Sequence, residues 1–172
     1  ACPIAAHAQG EQVDQAVERH APEIIELRHQ IHQYPELGNR EFETAKLIAA
    51  HLEKLGFDEI QTGVAHTGVV GILRGGKPGP VVAVRADIDA LPVTEDTPYP
   101  FKSTVRTTYL GQEVGVSHAC GHDIHTAVLL GVASVLASLR DEVPGTVKFI
   151  FQPAEEGTPE GEDGGAGGEA ST

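Results

Sequence analysis

The stretch Val81-Val-Ala-Val-Arg-Ala-Asp87 is an apolar run that ends in a carboxylate. Because Val81–Val84 shows no polar alternation, it predicts a strand that is buried on both faces. A second apolar run, Thr146–Phe151, is also followed closely by acidic residues, Glu155 and Glu156. Two such runs with a long helical pattern between them are typical of an α/β protein.

The segments around these two strands extend the same pattern. Apolar residues at helical spacing predict helices over residues 12–34, 41–55 and 124–140, with Asp123 as the N-cap of the third. A Gly/Pro turn precedes Val81 and follows another predicted strand, Val69–Leu73. The predicted fold is therefore α/β, with a layered mixed or largely parallel sheet and helices on both faces.

Two of the predicted helices have a clear apolar face. The residues predicted to face the core are Phe42, Ala45, Ile48, Ala49, Leu52 and Leu55 in the second helix, and Val128, Leu129, Val132, Val135, Leu136 and Leu139 in the third.

Composition limits the classes of partner. The 172 residues suggest one domain, and the net charge of −13 argues against nucleic acid and anionic membrane surfaces, which repel an acidic protein. No apolar run approaches the roughly 20 residues of a membrane span. Ala6-His7-Ala8 is compatible with a signal-peptidase site, which favours a periplasmic or secreted protein over a cytoplasmic one, although a disordered terminus explains it equally well. We expect a terminus of this kind over residues 1–10, the α/β domain over 11–156 and a flexible Gly-rich acidic tail over 157–172.

The stretch His118-Ala-Cys120-Gly-His122-Asp123-Ile-His125 contains a thiol, three imidazoles and a carboxylate. In an extended loop Cys120 and His122 point to the same side, as two ligands of one metal ion must, and Cys, His and Glu are the usual zinc ligands. A buried structural cysteine beside a capping loop is the alternative. Sites in α/β sheets collect beyond the carboxyl ends of strands, where Asp87 and Glu155-Glu156 are expected. Their combination with the Cys/His loop favours a metal site.

The adjacent carboxylates Glu155 and Glu156 follow a strand and a proline, so their directions are fixed and different. One can bind a metal while the other takes a proton from the water that the metal activates; a solvated acidic turn is the alternative. Asp87 is a candidate for orienting a ligand imidazole or for capping a turn. His118 and His125 are candidates for supporting the ligands or for facing the substrate; hydrogen-bonded neighbours with no role in the site are the alternative. The other acidic residues are predicted to lie on the surface, together with His29, His32 and His51.

Four motifs resemble those of the M20 metallopeptidase family, in the branch of N-acyl-amino-acid amidohydrolases that includes hippurate and auxin-conjugate hydrolases. They occur in the family's order and are Leu27-Arg-His-Gln-Ile-His-Gln-Tyr-Pro-Glu-Leu37, Arg85-Ala-Asp-Ile-Asp-Ala-Leu-Pro92, His118-Ala-Cys-Gly-His-Asp123 and Phe151-Gln-Pro-Ala-Glu-Glu-Gly157. The resemblance implies that the α/β domain is the amino-terminal part of a zinc-exopeptidase-like catalytic core.

The resemblance also implies metal-dependent hydrolysis of the amide bond of N-acyl amino acids or dipeptides, with two divalent ions per complete site, zinc or manganese, or else cobalt or nickel. Cys120, His122 and Glu156 would bind the metals, Glu155 would be the general base and Asp87 would orient a ligand. Family members are longer, carry a lid and dimerisation domain and supply two further histidine ligands. We therefore expect an amino-terminal portion with weak or no activity, and the resemblance allows a homodimer of the complete enzyme. A non-catalytic metal-binding or oligomerising α/β module is the alternative.

Overall fold

The computed structural model describes residues 3–157, so the predicted tail lies outside the described residues except for Gly157. The first helix, α1, spans Pro3–Gln33. It begins before the predicted start at residue 12 because residues 4–11 consist mainly of good helix formers such as Ala, Gln and Glu. Residues 3–10 therefore have a helical backbone, whereas a disordered terminus was one of the two expectations for them.

The other elements follow along the chain in an alternating order. They are α2 (Phe42–Lys54), β1 (Glu59–Val64), β2 (Gly68–Arg74), β3 (Lys77–Asp87), β4 (Arg106–Tyr109), β5 (Gln112–Gly115), α3 (His122–Ser138), a short 3₁₀ helix (Arg140–Glu142) and β6 (Pro144–Gln152). The predicted second and third helices and the three predicted strands are confirmed as α2, α3, β2, β3 and β6. The prediction did not include β1, β4 or β5.

The main sheet has the strand order β1-β2-β6-β3. Strand β3 pairs with β6 in parallel, while β1 with β2 and β2 with β6 are antiparallel, so the predicted mixed sheet is confirmed. Parallel neighbours need a long crossover, and α3 lies within the crossover between β3 and β6. Strand β6 therefore lies between β2 and β3, which are consecutive in sequence.

The core lies on one face of this sheet. Val69, Leu73, Val147, Phe149 and Phe151 share that face, as their pairing register shows, and they pack with Ile31 of α1, Ile48 and Leu52 of α2, and Leu130 of α3. Lys148 on the opposite face of β6 is exposed. Within the described part of the chain, the helices predicted for both faces are thus present on one face only. None of these helices is both long and apolar enough to cross a bilayer.

Strand β3 differs from its prediction. Val81 is 73% exposed, Val82 is 50% exposed, Ala83 is also exposed and Val84 is half-buried, so the expectation that Val81–Val84 is buried on both faces is wrong. The reason is position: β3 is an edge strand among the described strands, with β6 as its neighbour.

Three of the residues predicted for the core are exposed. Phe42 is 51%, Val128 57% and Val132 37% exposed, whereas Leu129 and Leu130 are buried. Val128 and Val132 lie where α3 faces α1, and they line an open apolar groove between these helices. The apolar face of α3 is wider than the surface that α1 and the sheet cover.

Candidate metal centre

The parallel pairing of β3 and β6 brings two acidic segments to the same edge of the sheet. In the register of this pair Asp87 lies opposite Gln152, the last residue of β6. Asp89 therefore follows one strand end, and Glu155 and Glu156 follow the other. This is the arrangement expected from the sequence, because carboxyl ends of parallel strands share an edge.

The Cys120 loop reaches this edge through the start of α3. Gly121 has a φ of 88°, a left-handed conformation that suits glycine, and it is the N-cap of α3. The prediction that Asp123 is the N-cap is wrong: Asp123 lies in the first turn of α3, its side chain is buried, and its carboxylate binds residues of α1. Cys120 thus lies just before the helix, and His122 is its first residue.

Donor atoms of Cys120, His122 and Glu156 converge at the sheet edge. One ligand atom from each lies within 4.8 Å of the others, and the same holds for a second group formed by Asp87, His122 and Glu155. His122 belongs to both groups and is buried, whereas Cys120, Glu155 and Glu156 are exposed. Glu155 Oε2 lies 3.8 Å from His122 Nε2. The structure thus brings together all the residues that the sequence nominated as ligands and general base.

The orientation of the His122 ring suits metal binding. Its Nδ1 lies 2.9 Å from the Asp89 carbonyl oxygen and 3.2 Å from Asp89 Oδ1. Because a carbonyl oxygen can only accept, Nδ1 carries the proton and donates it, and Nε2 is left with its lone pair on the side of Glu155. This is the tautomer that a ligand imidazole needs.

Asp89, rather than Asp87, makes this orienting contact. The sequence motifs predicted that role for Asp87 and a surface position for the other acidic residues, yet Asp89 is 1% exposed. Its Oδ2 also accepts a hydrogen bond from the Glu156 backbone N–H at 2.9 Å. Asp89 belongs to the motif Arg85–Pro92, two residues after Asp87. The predicted strand ended at residue 86, so its pattern did not indicate that Asp89 is buried.

Asp87 and His125 lie beside the donor atoms. Arg85 Nε donates to Asp87 Oδ1 at 2.9 Å, and His125 Nδ1 lies 3.4 Å from Asp87 Oδ2. The His125 ring is half exposed and also contacts the Asp87 backbone N–H. His125 therefore contacts Asp87, not His122.

The electrostatics of the centre suit a cation. A hydrogen bond to Glu156 and the nearby charges of Glu155 and Asp89 raise the pKa of the Cys120 thiol. Four carboxylates surround one thiol and one imidazole here, so a divalent cation would offset their repulsion and favour the thiolate. The mixed sulfur, nitrogen and oxygen donor set is one that zinc accepts.

His118 lies behind the loop and is buried. Burial lowers its pKa to about 4, so the ring is neutral at physiological pH. Neither ring nitrogen has a hydrogen-bond partner among the residues that the structure describes. His118 is in neither donor group. It is near a predicted ligand, as expected, because His122 and Asp123 are among the charges that act on its ring.

A buried ionic network supports the start of α3 from α1. Asp123 Oδ2 lies 2.8 Å from His32 Nδ1 and 2.9 Å from Arg28 Nε, and His32 Nε2 lies 3.0 Å from Glu95 Oε1. The prediction that His32 lies on the surface is therefore wrong, and so is the one for His51, which is 6% exposed. His29, the third predicted surface histidine, is half buried and stacks on Phe101. Helical spacing did not indicate these contacts, since each joins residues far apart in sequence.

Comparisons with known proteins agree with this geometry. Residues 83–170 match the model of peptidase family M20/M25/M40. The chain is 51% identical over 146 residues to thermostable carboxypeptidase 1 of Saccharolobus solfataricus, covering 84% of this chain and 33% of that protein. It is 46% identical over 133 residues to N-acetylcysteine deacetylase of Bacillus subtilis, covering 77% of this chain and 33% of the relative.

A solved structure gives the same result. The YxeP protein of Bacillus subtilis, described as a dinuclear metal-binding peptidase of the M20 family, superposes with a TM-score of 0.71 at 45% identity, covering 81% of this chain and 36% of that one. The chain thus spans about a third of the length of the relatives it matches. The family match extends over half of the chain and includes the Cys120 loop and the Glu155 turn, so this chain belongs to peptidase family M20/M25/M40.

Proposed function

We propose that this chain supplies the amino-terminal half of a metal-dependent amide-hydrolysing site, and that the whole protein cleaves N-acyl amino acids or small peptides. One observation carries the proposal: donor atoms of Cys120, His122 and Glu156 lie within 4.8 Å of one another, with the Glu155 carboxylate beside them. The names of the relatives, a carboxypeptidase and an N-acetylcysteine deacetylase, support the substrate class.

The residues present have distinct roles in this proposal. Cys120, His122 and Glu156 would hold two divalent ions, zinc or manganese, or else cobalt or nickel, together with ligands from elsewhere in the whole protein. Such ions would supply Lewis-acid polarisation of the substrate carbonyl and a lower pKa for water. Asp89 keeps the His122 tautomer fixed through Nδ1.

Glu155 is the general base. Its carboxylate is exposed, adjacent in sequence to Glu156 and beside His122 in the second donor group, so it lies next to the metal-binding atoms. In this proposal it stays free for proton transfer and does not bind a metal ion. It takes the proton of the attacking water as the carbonyl carbon is attacked, and it returns a proton to the leaving amine. Asp87, beside His122 and Glu155, completes the acidic wall of the site.

The test has a binding arm and an activity arm. Zinc and manganese are titrated calorimetrically into the purified chain and into its Cys120→Ala and His122→Ala variants, and a panel of N-acetyl amino acids is assayed with the longer polypeptide, with and without metal. We expect metal binding that both substitutions weaken, and hydrolysis that chelation abolishes. Metal binding without hydrolysis would favour the non-catalytic metal-binding module. No metal binding to the purified chain or to the longer polypeptide would refute the proposal.

A further inference from the structure

Glu41 is a fully buried carboxylate immediately before α2, outside both donor groups. Its Oε1 accepts a hydrogen bond from the Ala154 backbone N–H at 2.8 Å, and its Oε2 accepts one from the Thr67 hydroxyl at 2.5 Å. The two oxygens therefore hold two different segments. One is the turn between β1 and β2, and the other is the turn that presents Glu155 and Glu156.

The second of these turns has an unusual backbone. Ala154 has a φ of 50°, the left-handed region that side chains other than glycine seldom adopt, and it directly precedes Glu155. A conformation of this kind persists only where its surroundings hold it. The bond from Glu41 acts on the N–H of this same residue, so it fixes the point where the chain leaves β6.

The segment that carries Glu41 also packs against the turn. A Cβ on Gly38 would lie 2.3 Å from the Gly157 carbonyl oxygen and 3.1 Å from Ala154 Cα, so the two backbones are in direct contact. The Ala90 N–H donates to the Glu36 carbonyl oxygen at 2.8 Å, which joins the same segment to the chain just after Asp89. Residues 36–41 thus touch both strand ends that form the centre.

We propose that Glu41 is a positioning residue that fixes the Ala154 turn so that Glu155 and Glu156 face His122. This inference rests on the proposed function of the centre. Asp89 accepts a hydrogen bond from the Glu156 N–H, and Glu41 accepts one from the Ala154 N–H two residues earlier. Two buried carboxylates with separate N–H partners therefore determine the position of two exposed ones.

A carboxylate suits this position because it accepts from two donors at once. Glutamine keeps half of that capacity: its carbonyl oxygen accepts from Ala154, and its amide donates to Thr67 once that hydroxyl turns. Leucine has a similar volume and accepts from neither. The pair Glu41→Gln and Glu41→Leu therefore separates hydrogen bonding from the filling of space.

The experiment measures the turn directly in the chain described here. Amide hydrogen exchange is followed by NMR for Ala154–Gly157 and for core amides of β6, and zinc affinity is measured by calorimetry. The control is Glu36→Leu, because Glu36 caps α2 through the Thr44 N–H and hydroxyl, and its side chain makes no hydrogen bond to the turn among residues 3–157. Both glutamates precede the same helix.

We expect Glu41→Leu to speed exchange at Ala154–Gly157 about tenfold or more while the β6 core stays protected. Zinc affinity should fall by roughly 10–100-fold, the usual effect of removing a group that supports metal ligands. Glu41→Gln should restore both values to near wild type, and Glu36→Leu should leave exchange at the turn unchanged.

Three results would overturn the inference. The first is wild-type exchange and affinity in Glu41→Leu, and the second is an equal loss of protection throughout β6, which would make Glu41 a structural residue only. The third is an Ala154 amide that is not protected from exchange in the wild-type chain. This result needs no variant, so it decides the inference even if Glu41→Leu does not fold. A wild-type chain that binds no metal would count against the proposed function, whereas the exchange data would still decide the role of Glu41.

Discussion

Three residues of the donor groups differ in burial from the polar side chains that hold them. Cys120, Glu155 and Glu156 are exposed, whereas Asp89 and Asp123 are 1% exposed; His122 and Asp87 of the donor groups are buried as well. The exposed residues have short-range sequence signals, a Cys-x-His and a Glu-Glu pair. The buried ones act through contacts between residues that are 33 or more positions apart in sequence. We call the residues of the two donor groups the front layer, and the buried polar residues outside these groups, such as Asp89 and Asp123, the back layer. The front layer carries the reactive groups, and the back layer determines how they are positioned.

The strongest test of the front layer is Glu155→Gln in a form of the protein that hydrolyses N-acyl amino acids. Turnover should fall by about two to four decades, because an amide cannot accept the proton that a general base takes. The stability of the fold should not change, since Glu155 is exposed. Zinc affinity should fall far less than turnover, since the proposal gives Glu155 the role of base and not of metal ligand. The measurement is kcat beside calorimetric titration, with exposed Glu53→Gln as the control. Turnover close to wild type would assign the base to another residue.

The back layer is tested by Asp123→Ala. Removal of this carboxylate leaves Arg28 and His32 without the partner that lies within 2.9 Å of each, and breaking a buried ion pair in this way costs about 3–5 kcal/mol. Urea unfolding of the variant and the wild-type chain measures the loss. A change as small as that of an exposed pair, about 0–1 kcal/mol, would show that the network does not support α3.

Asp89→Asn tests the point where the two layers meet. Asparagine keeps one oxygen but loses the charge that holds His122 and the Glu156 N–H, so zinc affinity should fall about 10–100-fold. Stability should fall less than in Asp123→Ala, because the described partners of Asp89 are the His122 ring and the Glu156 N–H, whereas Asp123 lies against the Arg28 guanidinium. Exposed Asp96→Asn is the control, and equal affinities for the two variants would contradict the orienting role.

The smallest effect is expected away from the centre, at His51. Its Nε2 lies 2.9 Å from Ser134 Oγ, and burial lowers its pKa below the ordinary 6.5 although nearby Glu23 acts in the opposite direction. The neutral His51 ring is therefore favoured in the folded state, and the unfolded chain binds this proton at a higher pH than the folded chain does. The stability that His51 contributes is present above about pH 6.5 and is lost as pH falls below it.

His51→Gln should flatten this dependence while the amide still donates to Ser134. Unfolding free energies between about pH 7 and pH 5 measure it, with exposed His66→Gln as the control. A slope that is the same in both variants would place the acid sensitivity elsewhere.

The sequence predicted the front layer because its signals are local. The spacing of Cys120 and His122, and the position of Glu155 and Glu156 after a strand, need only the neighbouring residues and the rule that sites lie at carboxyl strand ends. The mixed sheet followed from the alternation of helix and strand. The predicted bounds of α2 were correct to within two residues, because Gly56, with a φ of 72°, ends the helical pattern.

The back layer could not be predicted in the same way. His32 and His51 lie on helices whose spacing gave no reason for burial, and each is buried by a partner from another element. Glu41 and Asp89 are charged, and a charged residue is usually exposed unless it is paired. Their pairs exist only once β6 is inserted between β2 and β3. Strands β1, β4 and β5 were missed because they are short, and most of their residues are polar or exposed.

The edge position of β3 has a consequence for handling the protein. An unpaired strand edge offers N–H and C=O groups on which another chain can add a strand, and an apolar edge is an aggregation site. Pro78 and Pro80 lack the N–H donor, which blunts the first part of the strand. Val81 and Val82 follow without such protection and are exposed. Purified alone, the chain is expected to self-associate as its concentration rises, and a charged residue at Val81 is the substitution that would keep it monomeric.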